Sequence, residues 1–267
     1  MALPTFAFVS IFDWPAGWVR EQKIEALSRC VGIDPADANL RVAKPAPLAL
    51  IRLPERAAGA AVRSLRDMGV PAFAPTERQL NGLSRPIVAK RLSGDRGAAG
   101  PAFLVEPWRG HLVRLEMSEV FLIVRAAVVS RRSAAGDPTT QVRFDALTGT
   151  MYLDRVETPP RKLGLAEVIE LHTSDGARFR IDGNKFNFDV LGNDRGHADS
   201  VNADLLADRL TQAAPRARID MGFADFSPPP GAVRALDPGA PLARSRMPEF
   251  EFYSAWLHML HRFALGV

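Results

Sequence analysis

The alternation of apolar and polar residues predicts one β-hairpin in detail, within VIELHTSDGARFRI at positions 168–181. A two-residue turn at Asp175–Gly176 would set Leu171 against Arg180, which puts an apolar and a charged side chain on the same face. A three-residue loop, Ser174–Asp175–Gly176, removes that conflict and leaves Gly176 where a positive φ is favoured. The hairpin then has a buried apolar face, Ile169, Leu171, Phe179 and Ile181, and a polar face, Glu170, His172, Arg178 and Arg180.

The polar stretch DGNKFNFDVLGNDRGHADS, positions 182–200, could be a metal loop or a connection between a strand and a helix. A calcium loop of the EF-hand type that began at Asp182 would need an oxygen ligand at Phe186 and a glutamate at Asn193, so the pattern fails. A turn, an inward-facing strand and a capping loop explain the stretch better. The predicted core side chains of this strand are Phe186, Phe188 and Leu191.

A helix is predicted directly after this stretch, over DSVNADLLADRLTQAAP. Asp199 or Ser200 can cap it, and Pro215 lies at its end. Its predicted buried side is formed by Val201, Leu205, Leu206 and Leu210.

The first eighty residues fit two copies of a strand–helix–strand pattern. FAFVSIF predicts a buried strand, a helix over residues 17–31 follows, and ANLRVAK predicts a second strand. LALIRL predicts a third strand, Pro54 opens a helix that Gly69 ends, and VPAFAPTERQL supplies the last strand. The resulting βαββαβ order is the ferredoxin-like split arrangement.

Changes in composition divide the rest of the chain, and the predicted fold class is α+β. Residues 81–110 are dense in glycine and proline, which predicts a linker. Residues 111–226 predict an antiparallel β-rich module with one helix. Residues 227–248 predict a Pro-rich linker, and residues 249–267 predict an amphipathic helix.

The C-terminal helix PEFEFYSAWLHMLHRFALGV has one strongly apolar face, which the protein's own core, a second protein or a membrane surface must cover. Glu249 and Glu251 are acidic, and Arg262 is the only basic residue of the helix, which disfavours a membrane surface. We expect the helix to dock on the protein itself. If it does not, its apolar residues are the candidate interaction surface for a protein partner: Tyr253, Trp256, Leu257, Leu260 and Phe263.

Composition excludes several classes of protein. The formal net charge is +4 and like charges form only short blocks, so a polybasic arm is absent from the sequence and nucleic acid is a disfavoured partner. Cys30 is the only cysteine, which excludes an internal disulfide and a cysteine-based zinc site. A signal peptide and an apolar stretch long enough to span a membrane are not recognisable, so we expect a cytoplasmic protein.

Candidate chemistry is sparse. The phosphate-binding, dinucleotide-binding, nucleophile-elbow and HExxH motifs do not occur in the sequence. His258 and His261 stand three positions apart but lack a third metal ligand, and Cys30 lies on the apolar stripe of the first helix, as a core thiol does. We therefore predict no catalytic residue, no metal site and no cofactor.

Two stretches resemble known modules. PLALIRLPERAAGAAVRSLRDMGVPAFA is similar to small ferredoxin-like modules of bacterial proteins that are described as regulatory or signal-transducing. RFRIDGNKFNFDVLG, with NADLLADRL and ARIDMGF, resembles a domain of unknown function, and its order of strands followed by one helix is similar to PH-like modules. The resemblance covers about half of the chain and brings no catalytic residues with it.

The sequence thus favours a non-catalytic regulatory or protein-interaction protein. One alternative is an enzyme with a dispersed active site that uses Asp and His residues of the 172–199 region. A third hypothesis is a weak nucleic-acid binder that uses dispersed arginines. A deep pocket with converging Asp, His and Arg would favour the enzyme, a basic face with exposed rings would favour nucleic acid, and an exposed apolar groove would favour the interaction protein.

Overall fold

The computed structural model describes residues 5–97, 100–130, 139–145, 150–156, 164–233 and 245–265, which form an α+β fold. The strands are β1 (Phe6–Ile11), β2 (Leu48–Pro54), β3 (Ala72–Phe73), β4 (Ile87–Gly97), β5 (Gly100–Pro107), β6 (Val113–Glu116), β7 (Val120–Ser130), β8 (Thr139–Asp145), β9 (Thr150–Val156), β10 (Gly164–Thr173), β11 (Arg178–Asp182) and β12 (Arg218–Asp220). The helices are α1 (Arg20–Ala26, continued by a π-helical turn over Leu27–Val31), α2 (Pro35–Val42), α3 (Glu55–Asp67), α4 (Glu77–Gly82), α5 (Asp199–Ala213) and α6 (Met247–Leu265).

The N-terminal sheet has three strands in the order β2-β1-β3, and both pairings are antiparallel. Alternate side chains of β1 face opposite ways, as the period of a strand requires. Ala7, Val9 and Ile11 pack into a core with α1 and α3. Phe8 packs into a different core, which contains α6. This sheet is therefore covered on both faces.

The segment ANLRVAK, predicted as a strand, lies largely in the helix α2, so that prediction is wrong. Asp34 is the N-cap residue, and its carboxylate accepts a hydrogen bond of 2.8 Å from the backbone N–H of Ala36. Pro35 occupies the first helical position, where its missing N–H has no effect on the helical hydrogen bonds. These two signals favour the start of a helix over the predicted strand.

The Gly/Pro-rich stretch 81–110, predicted as a linker, contains the antiparallel hairpin of β4 and β5. Leu92 pairs with Val105 in this hairpin, and both side chains are buried. The glycines lie near the tip, where β4 ends and β5 begins, and they do not interrupt the buried apolar positions. The hairpin is part of the main sheet, because β4 pairs with β11 and β5 pairs with β6.

The main sheet has seven strands in the order β12-β7-β10-β11-β4-β5-β6. The pairs β11–β4 and β12–β7 are parallel, and the other pairs are antiparallel. The predicted hairpin register is confirmed, since Leu171 pairs with Phe179 and Glu170 pairs with Arg180. Gly176 has φ of +88°, as the three-residue loop requires.

One face of the main sheet is covered by α5 and by a 3-10 helix, Phe188–Asp194. Phe186, Phe188 and Leu191 are buried in this core, as predicted, but the 3-10 helix replaces the expected strand. The N-cap of α5 is Ala198, whose side chain forms no cap, instead of Asp199 or Ser200. Val201, expected on the buried side, is 48% exposed.

Phe188→Ala should lower the free energy of unfolding by about 3–5 kcal/mol, because the ring is almost completely buried and its removal leaves a cavity. Urea unfolding followed by circular dichroism would measure the loss. Phe263→Ala is the matched control, since that ring is 51% exposed, and it should cost less than half as much. A loss below about 1 kcal/mol for Phe188→Ala would contradict the burial of this ring.

Some predicted segments lie outside the described residues. They are most of the loop RRSAAGDPTT, the tip at Thr148–Gly149 of the hairpin formed by β8 and β9, and residues 234–244 of the predicted Pro-rich linker.

Candidate functional site

The C-terminal helix α6 lies between the two sheets and forms a core with both. Its apolar face contacts Phe8 and Phe73 of the three-stranded sheet and Leu122 and Val124 of β7. The indole Nε1 of Trp256 donates a hydrogen bond of 3.0 Å to Ser10 Oγ on β1. The prediction that this helix docks on the protein itself is therefore confirmed.

Four of the five candidate interaction residues are buried in this core: Tyr253, Trp256, Leu257 and Leu260. Phe263 is half exposed, and its ring stacks on Phe12 and Phe73. The apolar face of α6 is thus a layer of the interior, and Phe263 marks the place where it reaches the surface.

A buried ionic cluster joins α6 to the polar face of the β10–β11 hairpin. Glu170 accepts hydrogen bonds from Arg178 Nε at 2.9 Å and from Arg180 Nε at 2.8 Å. Arg180 also donates to Glu251 of α6 at 2.9 Å. Glu170, Arg178 and Arg180 are all buried, so two guanidinium groups share one carboxylate inside the protein.

A chain of hydrogen bonds leads from this cluster to two histidines. Ser254 Oγ donates to Glu170 Oε1 at 2.9 Å, so the contact of 2.9 Å between Ser254 Oγ and His172 Nε2 requires the proton on His172. His172 Nδ1 must then accept from His258 Nδ1, which lies 3.1 Å away. The remaining nitrogen of His258, Nε2, is buried and has no hydrogen-bond partner among the described residues.

Burial and the neighbouring charges determine which side chains of the cluster are charged. Burial lowers the pKa of His172 to about 3, although the Glu170 carboxylate acts in the opposite direction. Burial also lowers the pKa of His258 and of His261 to about 4. Burial alone would raise the pKa of Glu170, but Arg180 and Arg178 hold it at about 2. Near neutral pH the carboxylate is therefore ionised and the three histidines are neutral.

A serine beside a histidine suggests a nucleophile and its base, but the geometry does not support that chemistry. Ser254, His172 and Glu170 are completely buried, and none of them lines the cavity between α2 and residues 220–230 or the cavity beside Phe263. The proton of Ser254 also points at Glu170 and not at the histidine. The cluster therefore holds α6 on the sheet.

The Asp and His residues of the 172–199 region do not converge. His172 lies under α6, whereas Asp189 and Asp194 form ion pairs with Arg195 and Arg209 on the other side of the sheet. Among the described residues, no group of three or more His, Cys, Asp or Glu side chains could hold a metal ion.

A candidate binding site is a cleft of about 400 Å³ between the N-terminal sheet and the segment after β12. One wall is formed by α2 and by the loop that leads to β2, and the opposite wall is formed by residues 220–230. Tyr253 of α6 lies between the two walls. The apolar part of the lining includes Leu40, Pro47, Leu48, Leu50, Phe226, Pro228 and Pro230.

The charged residues of the cleft are divided between its walls. Asp37, Arg41 and Lys44 belong to the α2 side, and Asp220 and Asp225 belong to the opposite side. The Tyr253 hydroxyl donates to Asp220. Burial and these two carboxylates raise the pKa of Tyr253 far above its ordinary value of 10, so the phenol stays protonated.

Gly222 allows the close approach that fixes Tyr253 in the cleft wall. A Cβ atom at this position would lie 2.8 Å from the tyrosine hydroxyl oxygen, which is closer than real Cβ contacts. The backbone N–H of Gly222 also donates to Asp220 at 3.0 Å, so the turn, the carboxylate and the phenol hold one another in place.

Apart from Tyr253, sequence reasoning did not single out the residues of the cleft. They come from three distant segments, residues 37–50, residues 220–230 and α6, and most of the α2 wall was predicted as a strand. The available signal was Asp34 followed by Pro35, an N-cap residue and a proline that together favour the start of a helix.

The chain matches no family model, and no curated protein or solved structure matches it either. Among the described residues, no helix combines the length and the apolar character needed to cross a membrane.

Proposed function

We propose that the protein is a non-catalytic regulatory protein whose conformational state is set by a small molecule bound in the cleft. The observation that carries this proposal is the position of the cleft. Its lining comes from α2 and β2, from residues 220–230 and from α6. A bound ligand would therefore contact elements attached to the N-terminal sheet and elements attached to the main sheet at the same time. Its volume of about 400 Å³ lies in the range of small-molecule sites.

The helix α6 is the element that would transmit occupancy of the cleft. Tyr253 lines the cleft, and its hydroxyl donates a hydrogen bond to Asp220 in the cleft wall. Trp256, one turn later on α6, donates a hydrogen bond to Ser10 of β1. Ser254, beside Tyr253, is bonded to the ionic cluster on the main sheet. A change at Tyr253 therefore reaches both sheets through direct contacts.

The strand order of the N-terminal sheet supports a ferredoxin-like component. In the split βαββαβ arrangement the first strand lies between the third and the fourth and runs antiparallel to both. Here β1 lies between β2 and β3 with antiparallel pairings on each side, and α2 occupies the place of the second strand. The PH-like character of residues 111–226 and the cytoplasmic location remain predictions.

The proposal is tested with a cleft-filling variant and a matched control. Ser227 is exposed and lines the cleft, whereas Ser64 is exposed on α3 and lines neither cavity. A panel of amino acids, organic acids, amines, sugars and nucleotides is screened by thermal unfolding. We expect one class to raise the melting temperature of the wild type and of Ser64→Trp, but not of Ser227→Trp.

Two further readouts separate regulation from catalysis. The ligand that binds should slow hydrogen exchange of the α6 amides, and mass spectrometry should recover it unchanged after incubation. Conversion of the ligand to a product would contradict the non-catalytic assignment. The regulatory assignment would be contradicted if no compound of the panel binds. It would also be contradicted if the compound that binds leaves hydrogen exchange in α6 unchanged.

A further inference from the structure

The α2 side of the cleft presents two cations that have no carboxylate partner among the described residues. Arg41 Nε is buried and has no hydrogen-bond partner among the described residues. Lys44 Nζ donates to Ser227 Oγ at 2.6 Å, which is a neutral acceptor. Asp37 stands four positions before Arg41 on α2, but no ion pair forms between them in the described structure. A buried donor without an acceptor is costly, so this wall favours an anionic group of a ligand.

The opposite side presents two carboxylates for which the described part of the chain provides no cationic partner. Asp220 accepts hydrogen bonds only from neutral donors, the Tyr253 hydroxyl and the backbone N–H of Gly222. Asp225 forms no ion pair with any described residue. Because Arg41 and Lys44 on one wall are without a carboxylate partner and the two carboxylates on the other wall are without a cationic partner among the described residues, a singly charged ligand would satisfy only half of the site.

The body of the ligand must be apolar and compact. The apolar lining consists of leucine, proline, alanine and aromatic side chains, and Leu48 and Leu50 are buried. The volume of about 400 Å³ accommodates a large amino acid or a dipeptide and excludes a folded macromolecule.

We propose that the cleft binds a small zwitterion with a large apolar body, of the kind represented by an aromatic amino acid or a short apolar peptide. Arg41 and Lys44 receive its carboxylate, and Asp220 and Asp225 receive its ammonium group. This inference rests on the proposed function and specifies the ligand of the same cleft.

The test uses isothermal titration calorimetry of the full chain with L-tryptophan, N-acetyl-L-tryptophan and L-tryptophanamide, and with the dipeptide leucyl-phenylalanine. The acetylated probe lacks the ammonium group and the amide lacks the carboxylate. We expect each of them to bind at least about tenfold more weakly than the better of the two zwitterions. Tighter binding of L-tryptophan identifies a free amino acid as the ligand class, and tighter binding of leucyl-phenylalanine identifies a short peptide.

Substitutions assign the two walls. Arg41→Ala should weaken binding of the zwitterion about tenfold or more. It should leave binding of the amide unaffected, because the amide has no carboxylate for Arg41 to contact. Asp225→Asn should weaken the zwitterion and leave the acetylated probe unaffected. Arg56→Ala, an exposed arginine of α3 outside the cleft, should bind like the wild type. Circular dichroism confirms that each variant is folded.

Equal binding of the acetylated probe and the zwitterion would overturn the inference in favour of an anion site, and equal binding of the amide would overturn it in favour of a cation site. Absence of binding by both zwitterions would also overturn it. If another class of the panel then binds and protects α6, the regulatory proposal stands although this inference has failed.

Discussion

Glu170→Ala should lower the free energy of unfolding by roughly 5 kcal/mol or more, because it leaves two buried guanidinium groups without their carboxylate. Removal of one partner of a buried ion pair typically costs about 3–5 kcal/mol, and Glu170 serves two partners. Ser254 loses its acceptor in the same variant, which disturbs the hydrogen bonds to His172. Urea unfolding at pH 7, followed by circular dichroism, would measure the effect.

Glu106 provides the matched control, since it also joins two cations. Lys90 and Arg91 lie 2.8 and 3.0 Å from its carboxylate, but the Glu106 side chain is 30% exposed. Water can solvate both cations when the carboxylate is removed, so Glu106→Ala should cost far less stability than Glu170→Ala. Similar losses in the two variants would contradict the view that burial makes Glu170 essential.

A triple variant separates the unpaired charges from the lost packing. Glu170→Leu alone leaves both arginines unpaired, whereas the addition of Arg178→Met and Arg180→Met replaces the cluster by apolar side chains. We expect the triple variant to be more stable than Glu170→Leu by about 2 kcal/mol or more. A triple variant less stable than Glu170→Leu would show that the arginines contribute through packing.

The hairpin shows how much a local pattern can predict. Alternation together with the preference of Gly176 for positive φ was sufficient to give the register, because both are properties of neighbouring residues. The pattern also separated the apolar face from the polar one. It could not show that the polar face is buried, because the cover comes from α6, more than sixty residues further along the chain.

The errors have two origins, a local helix-start signal that was overlooked and pairing between distant segments. The segment ANLRVAK was predicted as a strand, while the cap at Asp34 and Pro35 selected a helix. In residues 81–110 the glycines and prolines suggested a linker, yet β4 gains its place by pairing with β11 and β5. Pairing between distant segments overrides local composition.

The candidate site was the least predictable part. The apolar face of α6 predicted docking, and its residues indeed reach the core. The cleft combines α2, β2, residues 220–230 and Tyr253, and no single segment of these carries a recognisable pattern. Only the arrangement in three dimensions brings unpaired cations and carboxylates to opposite walls.

Acidification from pH 7 to pH 5 should lower the free energy of unfolding by about 6 kcal/mol through three buried histidines. In the folded protein burial lowers the pKa of His172 to about 3 and those of His258 and His261 to about 4. The unfolded chain, with an ordinary histidine pKa of 6.5, therefore takes up protons first as the pH falls. Stability is complete above pH 6.5 and declines below it, by about 2 kcal/mol for each histidine at pH 5.

Carboxylates act in a lower range of pH, so the two effects can be separated. Glu170, with a folded pKa of about 2 and an ordinary value of 4.5, loses its contribution only below pH 4.5. Urea unfolding at pH 7, 6 and 5 therefore reports on the histidines. His261→Gln should reduce the loss between pH 7 and pH 5 by about 2 kcal/mol. His197→Gln, which changes an exposed loop residue, should reproduce the wild-type loss. A wild-type loss below about 2 kcal/mol would contradict the lowered pKa values of these histidines. It would mean that they take up protons within the folded protein already between pH 7 and pH 5.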